Sequence, residues 1–451
     1  MKSSLPSIST LSGESLRKHG VHRARSASEI ARSPWAIGLE TIDRYYVDFA
    51  PLMPHLGALG ATEARVQAGW ARCEPVPDGG YDWKWLDEIV DGCLSQGVTP
   101  WLQTSYGNPA YEGGGGIGLS QGLPTSEAAK AGWDRWVAAL VDRYADRVHT
   151  WEIWNEADHK GQATVEEYLD LYLRSARIIR GAQPDARLLA LSLAGNLHFA
   201  EGFLRSMAER GETGLIDEIT FHGYPHNPDE NFYLPHDLAE LCDRYAPHVL
   251  LRQGETGSPS RTMEGISLAL NHEEWSERKQ AVWDLRRLLC HHARGYRMCL
   301  FQMADMWYAK RDGALYEGVN PKGLLEINPD KSVSHRKPSY VAAQQIFSLL
   351  DGSYPLRELS RLPLPSRVTG FAWQRQDRDH PNLVIWWKGD AAPRLTPSEL
   401  KWEKLSLPPL RDPLLLDLLD GSLYEPRDDG YLPLSDSPIA LVERDSIEVT
   451  R

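Results

Sequence analysis

From Pro34 the chain repeats one pattern for roughly 300 residues: a short apolar run, then a longer amphipathic stretch with apolar residues at helical spacing. Strands alternating with helices point to βαβ units and a parallel sheet. Strands are expected at 35–39, 63–68, 99–104, 149–154, 187–192, 218–222, 248–252 and 298–303. Helices are expected at 83–95, 128–144, 165–180, 201–209, 237–245, 274–292 and 338–350, the last with Pro338 in its first turn, where proline is tolerated. The connection at 45–59 reads as helical too, although Pro51 and Pro54 weaken its pattern. Eight strands each followed by a helix close a (β/α)8 TIM barrel, so the fold class is α/β.

Such a barrel takes ~250 residues or more, and the chain has 451. The surplus lies at both ends. Residues 1–33 are polar, rich in Ser and Arg, and read as an arm able to add a strand to another domain. Residues 34–352 form the barrel. Past Asp351-Gly352, segments such as VTGFAWQ and LVIWWKG alternate with Pro-rich and Asp/Gly-rich stretches. Residues 353–451 therefore read as a small all-β, sandwich-like domain that covers a barrel face or supplies a loop.

Apolar residues make up 42% and charged residues 25%, which excludes a disordered or fibrous chain. The net charge of −13 argues against a broad phosphate-binding surface and against docking on anionic membranes. The N-terminus lacks the apolar core of a secretory signal, and no run reaches the ~20 apolar residues of a membrane span. The chain therefore reads as soluble and cytoplasmic, unless a leader has been removed. Five cysteines without a CxxC pair form neither a disulfide framework nor a zinc site and read as buried thiols.

Catalytic groups in a barrel project from the C-terminal ends of its strands. Asn155-Glu156 follows the fourth apolar run, in WEIWNEAD, and Glu255 follows the seventh, in VLLRQGETG. The two glutamates are 99 residues apart, the length of three βα units. Strands four and seven face one another across the mouth. Two opposed carboxyls are what retaining glycoside cleavage requires: one protonates the departing oxygen, the other attacks the anomeric carbon, at a separation of ~5–5.5 Å.

With these residues in view, the sequence resembles the clan A retaining glycoside hydrolases. Within that clan it is most similar to family 39-type enzymes, a group that includes β-xylosidases and α-L-iduronidases. The carriers are VQAGWARCEP, YDWKWLDEIV, WEIWNEAD, FHGYP, GETG and GLLEINPDKSVSHRKPSYVAAQQIFSLLDG, covering about 34 to 352. The resemblance implies that Glu156 is the acid/base, protonated at working pH, and that Glu255 is the ionised nucleophile. It also implies that Asn155 binds the sugar's 2-hydroxyl, that His222 and Tyr224 match a His-x-Tyr feature of related enzymes, and that Tyr224 lies near the nucleophile and hydrogen-bonds its carboxylate.

Trp70, Trp101, Tyr106, Trp154, Trp307 and Tyr308 fall near expected strand ends and are candidates for a sugar platform, Trp307 foremost. Gln67, Arg72, Gln103 and Asn108 are candidate hydroxyl binders, and EGGGGIG (112–118) reads as a mobile loop on the same face. An acidic sugar would need Arg72 or Arg252 to point inward. Asp158, Glu40 and Asp305 are rival carboxyls without a matching partner. No His-x-His follows the first strand and no HExxH occurs, which disfavours a metal-dependent hydrolase, so neither a metal nor a cofactor is expected. The expected function is removal of a terminal, β-linked sugar from an oligosaccharide or small glycoside, by double displacement through a covalent glycosyl-enzyme. An endo-acting glycanase of the same clan, an inverting enzyme and a non-catalytic carbohydrate-binding barrel are the alternatives. The expected partner is the saccharide, not nucleic acid or membrane; a homo-oligomer is open.

Overall fold

The computed structural model describes residues 9–263, 268–309 and 316–450. Eight parallel strands close a barrel: Trp35–Leu39, Glu63–Gln67, Thr99–Thr104, Thr150–Ile153, Arg187–Leu193, Glu218–His222, Leu250–Thr256 and Arg297–Leu300. The ring is sealed by the first strand against the eighth, with Trp35 opposite Met298 and Ile37 opposite Leu300. Each strand is followed by a helix: Met53–Leu59, Lys84–Ser95, Glu127–Tyr144, Val165–Ala182, Leu197–Glu209, Tyr233–Tyr245, Glu277–His292 and Pro338–Leu349.

Local chemistry sets several helix starts. Ser126, Asn196 and Ser276 each accept a hydrogen bond from the backbone N–H three residues on, and Thr164 with Glu167 forms a capping box. The Asn196 cap begins its helix at Leu197, four residues before the expected 201. In the first unit the proline-containing stretch is helical only from Met53, with Pro54 in the first turn, where its missing N–H is tolerated. The seventh strand differs most. Expected at 248–252, it runs to Thr256, so Glu255 lies within it.

The N-terminal arm is built into the other end of the chain. Lys18–His22 pairs with Ser422–Tyr424 on one side and Val449–Thr450 on the other, within a seven-stranded antiparallel sheet. That sheet covers helix Glu277–His292, all but the first of whose residues are buried. Two of its buried polar side chains find partners across the contact: Arg278 Nη2 donates to Asp436 at 2.7 Å, and Trp373 Nε1 donates to His292 Nδ1 at 3.0 Å. All five cysteines are buried free thiols. Among the described residues no helix is long and apolar enough to cross a membrane.

Candidate active site

Three of the barrel strands depart from regular pairing at their C-terminal ends, and each departure aims a polar side chain into the mouth. After the fourth strand, Trp154 (φ 67°) and Glu156 (φ 49°) are left-handed, at about 1–3 kcal/mol per strained residue. At the fifth, Leu191 and Ser192 are left-handed beside a break in register. At the seventh, the register against its neighbours slips around Gly254. A Cβ on Gly254 would lie 2.8 Å from Thr220 Cβ, so glycine alone permits this approach. Such bulges re-aim the side chain beside them, here Glu255.

Glu156 and Glu255 consequently meet across the mouth. His222 lies between them, its Nδ1 2.6 Å from Glu156 Oε1 and 3.6 Å from Glu255 Oε2. One oxygen of each glutamate and this nitrogen all fall within 4.8 Å of one another. The other imidazole nitrogen is 3.0 Å from Ser192 Oγ. Tyr224 OH donates to Glu255 Oε1 at 2.5 Å, and Arg65 Nη1 donates to Oε2 at 2.9 Å. Burial alone would raise the proton affinity of Glu255, but His222, Arg65 and the Tyr224 hydroxyl outweigh it and hold the carboxyl below its usual range. Burial would likewise lower that of His222, yet Glu255, and then Glu156, hold the imidazole above its ordinary value.

Arg65 organises the floor. It is 0% exposed, and all five of its N–H groups are used: Nε to Glu152, Nη1 to Glu40 and Glu255, Nη2 to Asn155 and Ser192. Asn155 Oδ1 also accepts from Gln103 Nε2 and Ser192 Oγ, while its Nδ2 donates to Tyr106 OH at 2.8 Å and keeps a second N–H. Burial, opposed by Arg65 and reinforced by Glu255, pushes Glu40 up to about 8.

The candidates divide clearly. Glu156, Glu255, Asn155, His222 and Tyr224 are brought together. Gln103 and Gln67 lie one layer out: Gln103 bonds to Glu152 and Asn155, and Gln67 to Glu40, Thr41 N and Arg44. Trp154, Arg72 and Asn108 are not brought to the carboxyls. Trp154 is 0% exposed and packs against Tyr106 and Trp133, because its left-handed backbone turns the indole outward. Arg72 donates to Ile42 O and lies between the rings of Tyr45 and Trp85. Asn108 is spent on Glu74 O and Ala110 N. Trp307 is half-buried and its indole N–H donates to Ile327 O at 2.7 Å.

Trp70 and Trp101 are packed as well, Trp101 beneath the Arg252 guanidinium. Arg252 pairs with Glu63 and Glu218, the first residues of their strands, and so belongs to the end of the barrel opposite the mouth. Asp158 accepts three backbone N–H groups, and Asp305 pairs with Lys337. The glycine-rich loop, read as mobile, is stitched by its own backbone: Gly107 N donates to Gly116 O and Asn108 N to Gly114 O. A Cβ on Gly114 would meet Asn108 O at 2.1 Å, so its glycines serve close packing.

Arg65, Ser192, Arg44 and Lys322 were missed. Arg65 carries a weak signal, a charge in the middle of an apolar strand (EARVQ), which burial permits only when it is fully paired. Arg44 stands over the Tyr106 ring at 4.9 Å, with Tyr46 and Tyr308 beside it, forming an aromatic corner next to Asn155. Lys322 lies 5.6 Å from the Tyr224 ring, and burial pushes its ammonium down to about 7, against the pull of Glu255. Nothing local in the sequence marks either. Among the described residues two clusters have metal-ligating spacing, Glu156–His222–Glu255 and Glu277–Glu326–His335. In both, the histidine already bridges the two carboxylates.

Two carboxyls facing across the mouth of a (β/α)8 barrel are the arrangement that glycoside cleavage uses. Residues 71–234 match the family model of the glycosyl hydrolases family 39, which supports a glycosidase. The match includes Asn155, Glu156, His222 and Tyr224 and stops short of Glu255. Among solved structures, a family 39 glycoside hydrolase from Bacteroides cellulosilyticus WH2 is similar over 93% of this chain and 82% of its own, at 20% identity and a TM-score of 0.69. A monomeric β-xylosidase from Caulobacter crescentus CB15 is similar over 95% and 98%, at 17% identity and 0.57. The family 39 enzyme of Xanthomonas axonopodis pv. citri is similar over 93% and 98%, also at 17% and 0.57. No curated protein sequence matches.

Proposed function

We propose that the protein removes a terminal β-linked sugar by double displacement, with Glu255 as nucleophile and Glu156 as acid/base. The observation that carries this is that one oxygen of each carboxyl lies within 4.8 Å of the other, which fits the ~5–5.5 Å carboxyl spacing of direct attack better than the ~6.5–9.5 Å that admits a water. A Glu255 oxygen attacks the anomeric carbon as the bond to the leaving oxygen breaks, and Glu156 gives that oxygen its proton. Water then attacks the same carbon, Glu156 takes a proton from it, and Glu255 departs as carboxylate. His222 occupies Glu156 Oε1, which leaves Oε2 to carry the transferred proton. The free N–H of Asn155 Nδ2 faces the 2-hydroxyl, and Tyr106, Tyr308 and Arg44 form the wall of the sugar site. Because two of the similar structures are described as β-xylosidases, β-D-xylosides are the first substrates to test.

Proton NMR of the first product formed from an aryl β-xyloside is expected to show the β-anomer; initial release of the α-anomer would establish inversion and overturn this reading. Glu156→Ala is expected to lose ~10²–10⁴-fold on glycosides with poor leaving groups and little on dinitrophenyl glycosides, which leave without a proton. Equal losses on both would remove Glu156 from the acid role. Tyr224→Phe deletes a hydrogen bond to a charged group, worth ~1.5–3 kcal/mol, so kcat/KM should fall ~10–100-fold. Its acid limb should move to higher pH, since Glu255 then holds its proton more tightly, and a pH–rate profile checks both.

A further inference from the structure

Behind His222 and Tyr224, outside the barrel wall, lies a second cavity of about 310 Å³. Phe221 and Gln253 of the sixth and seventh strands form its inner side, and Leu234 and Pro235 of helix Tyr233–Tyr245 its outer side. Arg287, on helix Glu277–His292, forms its charged end. This guanidinium is 2% exposed. Its Nη1 donates to the carbonyls of Pro228 and Glu230, and the Phe232 ring lies 4.5 Å from its carbon. Nε is buried without a partner, and among the described residues Nη2 makes no hydrogen bond and no carboxylate pairs with the group.

The contrast with its neighbour is direct. Arg286, one residue earlier, is as buried and holds Asp229 through two hydrogen bonds. Arg294, over the same Phe232 ring at 3.7 Å, adds to its excess, while Asp229, held by Arg286, offsets part of it from outside ion-pair distance. A buried cation with no carboxylate in ion-pair contact is costly, and arginine cannot escape by losing its proton. Nη2 faces the cavity where Gly223 leaves room, since a Cβ there would lie 3.7 Å from it and 3.9 Å from Gln253 Nε2. Gln253 Nε2 spends one N–H on His291 Nε2 at 3.3 Å, so its second N–H and those of Arg287 Nη2 are the donors left for this volume.

We infer that this cavity is an anion site, distinct from the two glutamates, which takes a small oxyanion such as a carboxylate or phosphate against Arg287 Nη2 and Gln253 Nε2. The carboxylate of an acidic sugar and free inorganic phosphate share this chemistry. Thermal unfolding of the full chain, at constant ionic strength set with chloride, separates them when phosphate and glucuronate are titrated in turn. At 100-fold over Kd the midpoint should rise by roughly 3 °C, and the rise should saturate. A rise with phosphate alone assigns the site to the free anion, and a rise with glucuronate alone assigns it to an acidic sugar; both support the site. Arg287→Gln should abolish the rise. Should that variant fail to fold, Gly223→Ala, whose methyl enters the cavity beside Nη2, should also abolish it. No rise with either anion, or an equal rise in wild type and variant, overturns the inference.

Discussion

Glu255→Ala is expected to lower kcat at least ~10⁴-fold on whichever aryl glycoside the wild type cleaves, because no other group can form the covalent intermediate. Among the described residues the nearest rivals are disqualified by their bonding. Glu40 and Glu152 are turned to Arg65, and Asp158 to three backbone N–H groups. The fold should survive, since Arg65 keeps four of its five acceptors. Azide, small enough to occupy the vacated space, should restore turnover and give a glycosyl azide of inverted configuration. An alanine variant that remains fully active on that sugar would falsify the assignment.

Arg65→Met is expected to be the most damaging change outside the two glutamates. It strands Glu40, Glu152 and Glu255, of which Glu152 is wholly buried, and removing one partner of a buried pair costs ~3–5 kcal/mol. It should also move the acid limb of kcat/KM to higher pH, because a cation 2.9 Å from Glu255 no longer favours its ionised form. The stability linked to Glu255 has the same sign. It is present above the unfolded carboxylate value of ~4.3 and is lost as pH falls through the lower folded value. Arg65→Lys keeps the charge but not the five-pronged fork, so it should rescue the pH limb more than the thermal midpoint. Denaturation together with a pH–rate profile checks both. A methionine variant as stable as wild type, with an unmoved acid limb, would show that Arg65 does neither.

The barrel was legible because its signals are local and repeated. Apolar runs such as WAIGL and TPWLQT need no partner to be recognised, and each is followed by a stretch of helical periodicity. Glu156 and Glu255 were legible because barrel geometry places strand ends at the mouth, so chain order alone says which residues converge. Where expectation failed, the missing information was direction. Trp154 is adjacent to Asn155, but its left-handed backbone turns it into the wall. Arg72 and Asn108 sit close to strand ends in sequence, yet nearby carbonyls and rings claim them first. Arg252 reads as a charge near a strand end, but the seventh strand continues past it, and Arg252 faces the opposite end of the barrel.

By itself, then, the sequence determined the order of strands and helices and the two strands that bring glutamates to one opening, since periodicity and chain order are properties of a string. Tertiary structure alone decided which charges are shared. Arg65 reaches acceptors on or just after four other strands, Lys322 comes to Tyr224 from beyond the eighth strand, and Arg287 is left without a carboxylate while Arg286 has one. The physical reason is the range of the interactions. Hydrophobic patterning is written residue by residue, whereas the state of a buried charge depends on whatever lies within a few ångströms of it in the folded chain, however distant in sequence.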